Sequence, residues 1–154
     1  MDEKITGFIK DHHVLTIASS VDNRPWTANC FYVFMEDINC FVFTSDDDTR
    51  HGKEFAANNR VAGSVVLETD VIGKIRGLQF EGTVSKPGEQ LHKNARRAYL
   101  KRFPVAMLMK TELWVVEVSY AKLTDNRLGF GKKLVWQSSG NNEDRSGNTS
   151  AGKK

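Results

Sequence analysis

Cysteine is scarce in this chain. Two of its 154 residues, Cys30 and Cys40, are cysteines; no CxxC spacing joins them, and both sit in apolar runs. That offers no disulfide framework and no zinc site, and it reads both thiols as small buried hydrophobes. Long apolar runs are missing too, since nothing approaches the ~18–20 residues of a membrane-spanning helix. The opening MDEKITGFIKDHH is too charged for a secretory leader, so a cytoplasmic protein with no membrane partner is expected. A strong charge of either sign is also absent: 22 Lys and Arg stand against 19 Asp and Glu, a formal net charge of +3. So small a surplus does not argue for nucleic acid. The cations cluster at Arg96-Arg97, Lys101-Arg102, Lys132-Lys133 and Lys153-Lys154, without interleaved aromatics for base stacking. There is no internal repeat.

What is present is ordinary globular usage, 40% hydrophobic and 27% charged. The length suits one domain that buries its core without staples. From residue 137 the sequence QSSGNNEDRSGNTSAGKK has no hydrophobic period, so residues 1–136 are expected to fold and 137–154 to form a disordered polar tail.

Ile5, Phe8 and Ile9 recur at helical spacing and predict a short amphipathic helix over 2–12. Val14–Ser20 reads as a strand, followed by turn chemistry at Asp22-Asn23-Arg24-Pro25. Trp26–Met35 and Cys40–Thr44 form a hairpin whose strands are apolar on both faces, as at the centre of a barrel or against a partner subunit. Thr49–Asn59 favours helix and Val61–Leu67 strand. Residues 74–84 alternate, with Leu78, Phe80 and Val84 opposite Gln79, Glu81 and Thr83. Gly88–Arg102 is a helix with the apolar stripe Leu91, Ala95, Ala98 and Tyr99, and Leu113–Tyr120 is the last long strand. The pattern predicts a mainly β (α+β) fold, a small closed antiparallel barrel with two or three peripheral helices.

One segment invites a nucleotide reading. Gly129-Phe130-Gly131-Lys132-Lys133 fails the P-loop pattern, because Asn126 stands where the first glycine belongs and Lys133 where Ser or Thr is needed. It fails GxGxxG as well, with Leu134 in the last glycine position. Two readings stay open: a glycine-flexed arm ending near a dimer seam, or a glycine-bent edge hairpin with solvent-facing lysines that discourage edge pairing.

The order of motifs carries more. Arg24-Pro25-Trp26 opens a strand; Phe41-Val42-Phe43-Thr44-Ser45 leads into Thr49-Arg50-His51 and then Asn58-Asn59-Arg60-Val61-Ala62. Phe80-Glu81-Gly82-Thr83, a helix ending at Tyr99 and Phe103-Pro104, and a strand opened by Trp114 follow. Over residues 10–136 this resembles the FMN-binding split-barrel superfamily typified by pyridoxamine 5'-phosphate oxidase. It looks most like an uncharacterised small bacterial subfamily with Arg-Phe-Pro-Val-Ala and Thr-Asp-Asn-x-Leu-Gly-Phe-Gly-Lys-Lys stretches. The resemblance implies a six-stranded antiparallel split β-barrel of Greek-key type in a homodimer. It further implies FMN at the subunit interface, haem or a deazaflavin ranking behind it, and a flavin-dependent oxidoreductase acting on a small molecule whose identity stays open.

Carried over by position, the resemblance puts the flavin phosphate on Thr44, Ser45, Thr49, Arg50 and His51, with Lys53 as a supplementary cation, where a hydroxyl and a guanidinium beside a helix N-terminus make an anion site. It lays the ring along the backbone of Asn29, Cys30 and Phe31, near Gln79, with Lys132 and Trp136 at the rim. Two departures matter. His51 replaces a lysine, and the cations of the oxidase's second strand become Ala28 and Val33. The oxidase's own reaction is therefore not expected, and a non-enzymatic module storing or sensing flavin, haem or a pyridoxal-type phosphate is the alternative. Thr44, Ser45 and Thr49 also read as plain turn and cap residues around Asp46-Asp47-Asp48. His12-His13 reads as a surface pair, since adjacent helical side chains diverge.

Overall fold

In the computed structural model, which describes residues 1–108 and 110–139, Asp22 and Asn23 reverse the chain in two residues, both at positive φ (52° and 58°). That geometry suits a right-twisted hairpin. It joins β1 (Val14–Val21) to β2 (Arg24–Met35), with Val21 opposite Arg24. A second tight turn, with Asn39 at φ 50°, leads into β3 (Cys40–Ser45). After α2 (Arg50–Ala57) come β4 (Arg60–Val66), β5 (Arg76–Ser85), α3 (Glu89–Arg102), β6 (Glu112–Asp125) and β7 (Lys133–Gln137), and α1 (Glu3–Asp11) precedes them all.

The pairing order is β3-β2-β1-β4-β5-β6-β7, and β3 also pairs with β6. Six antiparallel strands therefore close on themselves, with β7 outside the ring. β6 makes this possible by changing partners along its length. Its first half pairs with β3 (Ser45 opposite Glu112, Cys40 opposite Glu117), and its second half pairs with β7 (Ala121 opposite Trp136, Thr124 opposite Lys133). β6 runs past the expected Leu113–Tyr120 because Ala121, Leu123 and Asp125 continue the inward alternation while Lys122 and Thr124 break the apolar run. The glycine-flanked segment is an edge hairpin: β7 pairs with β6, and Gly129 and Gly131 take positive φ in the turn. The expected polar tail lies outside the described residues from 140 onward.

The barrel interior is aromatic. Phe41 and Phe80 stack at 4.6 Å, and Tyr32 meets Phe41 edge-on at 5.0 Å. Gly63 makes room for this, since a Cβ there would come within 2.3 Å of the Phe80 ring. At Gly82 a Cβ would come within 2.3 Å of the Glu117 carbonyl, so glycine allows the close crossing at the β5–β6 bulge. α1 buries Ile5, Phe8 and Ile9 in the same core, and the Tyr32 hydroxyl donates to the Ile9 carbonyl at 2.5 Å. Arg102, at the end of α3, donates to the Lys10 and His12 carbonyls at 3.0 and 2.6 Å, satisfying acceptors that the end of α1 leaves open.

A second, smaller core explains why β3 is apolar on both faces. Val42 points outward from the barrel yet is fully buried with Ala95, Tyr99, Leu113 and Val115, so α3 covers that face. β2 differs: Phe31 stays 57% exposed. Among the described residues no helix is long and apolar enough to cross a membrane, and no three His, Cys, Asp or Glu side chains gather as a metal site.

Candidate functional site

The turn from β3 into α2 gathers three polar side chains. Thr49 is the N-cap: its hydroxyl accepts from the Gly52 amide at 3.1 Å and donates to the Asp46 carbonyl at 2.8 Å. Ser45 Oγ lies 2.6 Å from His51 Nε2 and 3.4 Å from Thr49 Oγ1. The Ser45 carbonyl accepts from the Trp114 indole at 3.2 Å, which fixes the strand end beneath the cluster. Burial holds His51 below its ordinary pKa, with Glu54 opposing in part, so near neutral pH the ring offers a hydrogen bond rather than a charge.

Arg50 supplies the charge. Its guanidinium lies 4.4 Å from the centre of the Trp26 ring, and its Nε donates to Glu54 at 2.8 Å. Glu54 also accepts from Ser19 at 2.5 Å, and these two bonds, Ser19 first, hold its carboxyl below the usual range. Among the described residues only Nε of Arg50 is engaged this way, which leaves the two terminal nitrogens to meet an oxyanion. The donor set thus suits a phosphate: the Ser45–His51 pair, one fork of guanidinium nitrogens and a helix N-terminus. Lys53 lies on the wall of an open groove of about 680 Å³ along α2, with Asp47, Asn59, Lys86 and Trp114. Asp47 is engaged by Lys86 at 2.6 Å.

The remaining expected residues fall elsewhere. Asn29 and Gln79 share the outer face of the sheet and one cross-strand row, Asn29–Thr16–Ser64–Gln79, with Thr16 donating to Asn29 at 2.7 Å. Cys30 is buried, and burial pushes its thiol up to about 11, so the position offers backbone alone. Thr44 meets the Tyr99 hydroxyl at 3.2 Å, and Tyr99 donates to the Phe31 carbonyl at 3.4 Å. Lys132 is exposed and Trp136 packs on the main core beside Ala121. From Ser45's partner Glu112 to Ala121 is nine residues along β6, roughly 30 Å of strand. Within one chain these two do not join the α2 cluster.

The sequence reading missed Tyr99, Trp26, Glu54 and Trp114 as contributors. Tyr99 reads as part of an apolar stripe and Trp26 as a strand opener. Nothing in the spacing shows where the hydroxyl or the ring points.

Residues 1–124 match the family described as "Pyridoxamine 5'-phosphate oxidase". A UPF0306 protein from Photorhabdus laumondii is 41% identical over 133 residues, covering 86% of this chain and 93% of that protein. Among solved structures, a heme binding protein from Mycobacterium smegmatis superposes with a TM-score of 0.75 at 20% identity, over 88% of this chain and 57% of that one. A FAD-binding protein from Mesorhizobium loti gives 0.66 at 14% identity, over 80% and 94%.

Proposed function

The chain belongs to the pyridoxamine 5'-phosphate oxidase family, and we propose that it binds FMN as a homodimer and acts as a flavin-dependent oxidoreductase. One observation carries this reading: Ser45, Thr49, His51 and the free end of the Arg50 guanidinium stand together at the first turn of α2. When bound, the flavin supplies the hydride or electron chemistry. The residues of this chain hold and orient it. Arg50 pairs with the phosphate while Trp26 fixes the guanidinium plane, Ser45 turns its hydroxyl toward it, and Thr49 caps the helix beneath. With Ala28 and Val33 in place of cations, the grip rests on Arg50 and neutral donors. That predicts modest affinity and leaves the oxidase's own reaction outside the proposal.

The outer sheet face supports the dimer. Asn29, Thr16, Ser64 and Gln79 present amides and hydroxyls, flanked by Phe31 and by Val66, which is 65% exposed. A face of amides and hydroxyls with exposed large apolar side chains, bordered by Glu81 and Lys122, suits a second copy. That copy would also bring Lys132 to a groove its own chain cannot reach. A neighbour described as heme binding favours a second reading, non-enzymatic storage of haem or flavin on the same fold.

The test is the absorbance spectrum and mass of what copurifies, followed by FMN titration and steady-state NAD(P)H turnover. A flavin band with turnover supports the oxidoreductase, and flavin or haem without turnover supports storage. Colourless protein that takes up no FMN overturns both flavin readings.

A further inference from the structure

A second concavity lies on the other side of Thr44. α3 and the ends of β3 and β6 enclose about 120 Å³, walled by His92, Arg96, Tyr99, Thr111, Glu112 and Thr44. Leu100, Ala106 and Leu113 complete it with apolar surface. The concavity is small and half-open, so it seats the end of a ligand, such as a carboxylate with its first two or three carbons.

Its electrostatics are uneven. Along α3, Lys93 is paired with Glu89 at 2.8 Å and Arg102 is spent on the carbonyls of Lys10 and His12. Arg96, which faces the pocket, has no ion-pair or hydrogen-bond partner among the described residues. An unpaired guanidinium on the wall of a concavity suits a planar oxyanion that accepts two parallel N–H bonds. Glu112 also lines the pocket; with its charge offset by Lys86 at 3.2 Å it tolerates one negative charge on a ligand and disfavours two. The Thr44–Tyr99 hydroxyl pair completes the polar lining.

We infer that this pocket binds a small monocarboxylate, its carboxylate on Arg96 and its remainder against Leu100 and Leu113. The binding stands without the flavin. Where the flavin reading also holds, Thr44 of this pocket is the chain neighbour of Ser45 in the phosphate cluster, and the carboxylate is the anchored end of the substrate.

The experiment is ¹⁵N NMR of the flavin-free full chain titrated with sodium acetate at constant ionic strength. Wild type, Arg96→Gln and Arg97→Gln are compared, and inorganic phosphate at a pH where it is a dianion serves as the second probe. Expected are saturable shifts at the Thr44, Thr111 and Leu113 amides with a Kd on the order of millimolar, the range open to so small a ligand. Arg96→Gln weakens binding about tenfold or more, Arg97→Gln leaves it unchanged, and phosphate perturbs these amides more weakly than acetate. Shifts that do not saturate, equal effects of the two substitutions, or tighter phosphate binding at the same amides would overturn the inference. Flavin-free protein is used throughout, so failure to take up FMN leaves this readout intact.

Discussion

Ser45 and His51 meet at 2.6 Å across the turn between β3 and α2, and burial keeps the imidazole below its ordinary pKa. In the unfolded chain the ring takes a proton near its usual value of about 6.5; in the folded chain it does so only at lower pH. Between those values the unfolded state binds more protons, so stability rises with pH through that window. The contribution of His51 is complete above about 6.5 and is lost as pH falls toward the folded value. Denaturant midpoints on either side of the window should therefore differ more for wild type than for His51→Gln. Equal differences would mean the ring does not titrate on folding.

Arg50 and Glu54 predict opposite effects on flavin affinity. Arg50→Ala removes the one cation of the cluster and should weaken FMN by roughly 10- to 100-fold, the equivalent of a charge-assisted bond. Glu54→Gln removes the carboxylate that competes for the same guanidinium and should tighten FMN several-fold. Fluorescence titration reads both, and a change of the same sign in the two variants would place the phosphate elsewhere.

Two glycines predict opposite signs of stability. At Gly82 an added methyl meets the Glu117 carbonyl, backbone that cannot step aside, so Gly82→Ala should cost about 1–3 kcal/mol. At Gly7, inside α1, nothing lies within 4 Å of the added atom. Gly7→Ala should gain about 0.5–1 kcal/mol from helix propensity. Urea midpoints of the two variants decide the pair.

The Arg102 clamp predicts a local loss. Arg102→Ala frees the Lys10 and His12 carbonyls and should cost about 1.5–3 kcal/mol. Amide exchange should quicken first in α1, whose C-terminus loses its tie to α3. Uniform acceleration across the barrel would instead assign Arg102 a role in the whole core.

Much of the architecture is legible in the sequence because its causes are local. Asp22-Asn23-Arg24-Pro25 announces a turn, though Arg24 and Pro25 already pair in β2; Leu78, Phe80 and Val84 alternate as a half-buried strand must, and Thr49 sits at the helix start it caps. Other features depend on docking between distant segments. The Tyr99 hydroxyl reaches Thr44 and the Phe31 carbonyl only because α3 lies across β3. The separation of Trp136 from Ser45 follows from the way β6 changes partners, which no window of sequence records. The double-sided apolarity of Cys40–Thr44 reads equally well as a barrel strand or a subunit contact until α3 is seen to cover Val42.

That partner change also sets a schedule for biosynthesis. β3 waits for a neighbour that is translated some seventy residues later, since Cys40–Ser45 pairs with Glu112–Glu117. In the interval Cys40-Phe41-Val42-Phe43-Thr44 has one open edge and two apolar faces, the composition that self-associates most readily. Ring closure is then a late, non-local event of the kind that slows folding. The chain's exposure to aggregation is concentrated in the time a ribosome takes to travel from β3 to β6.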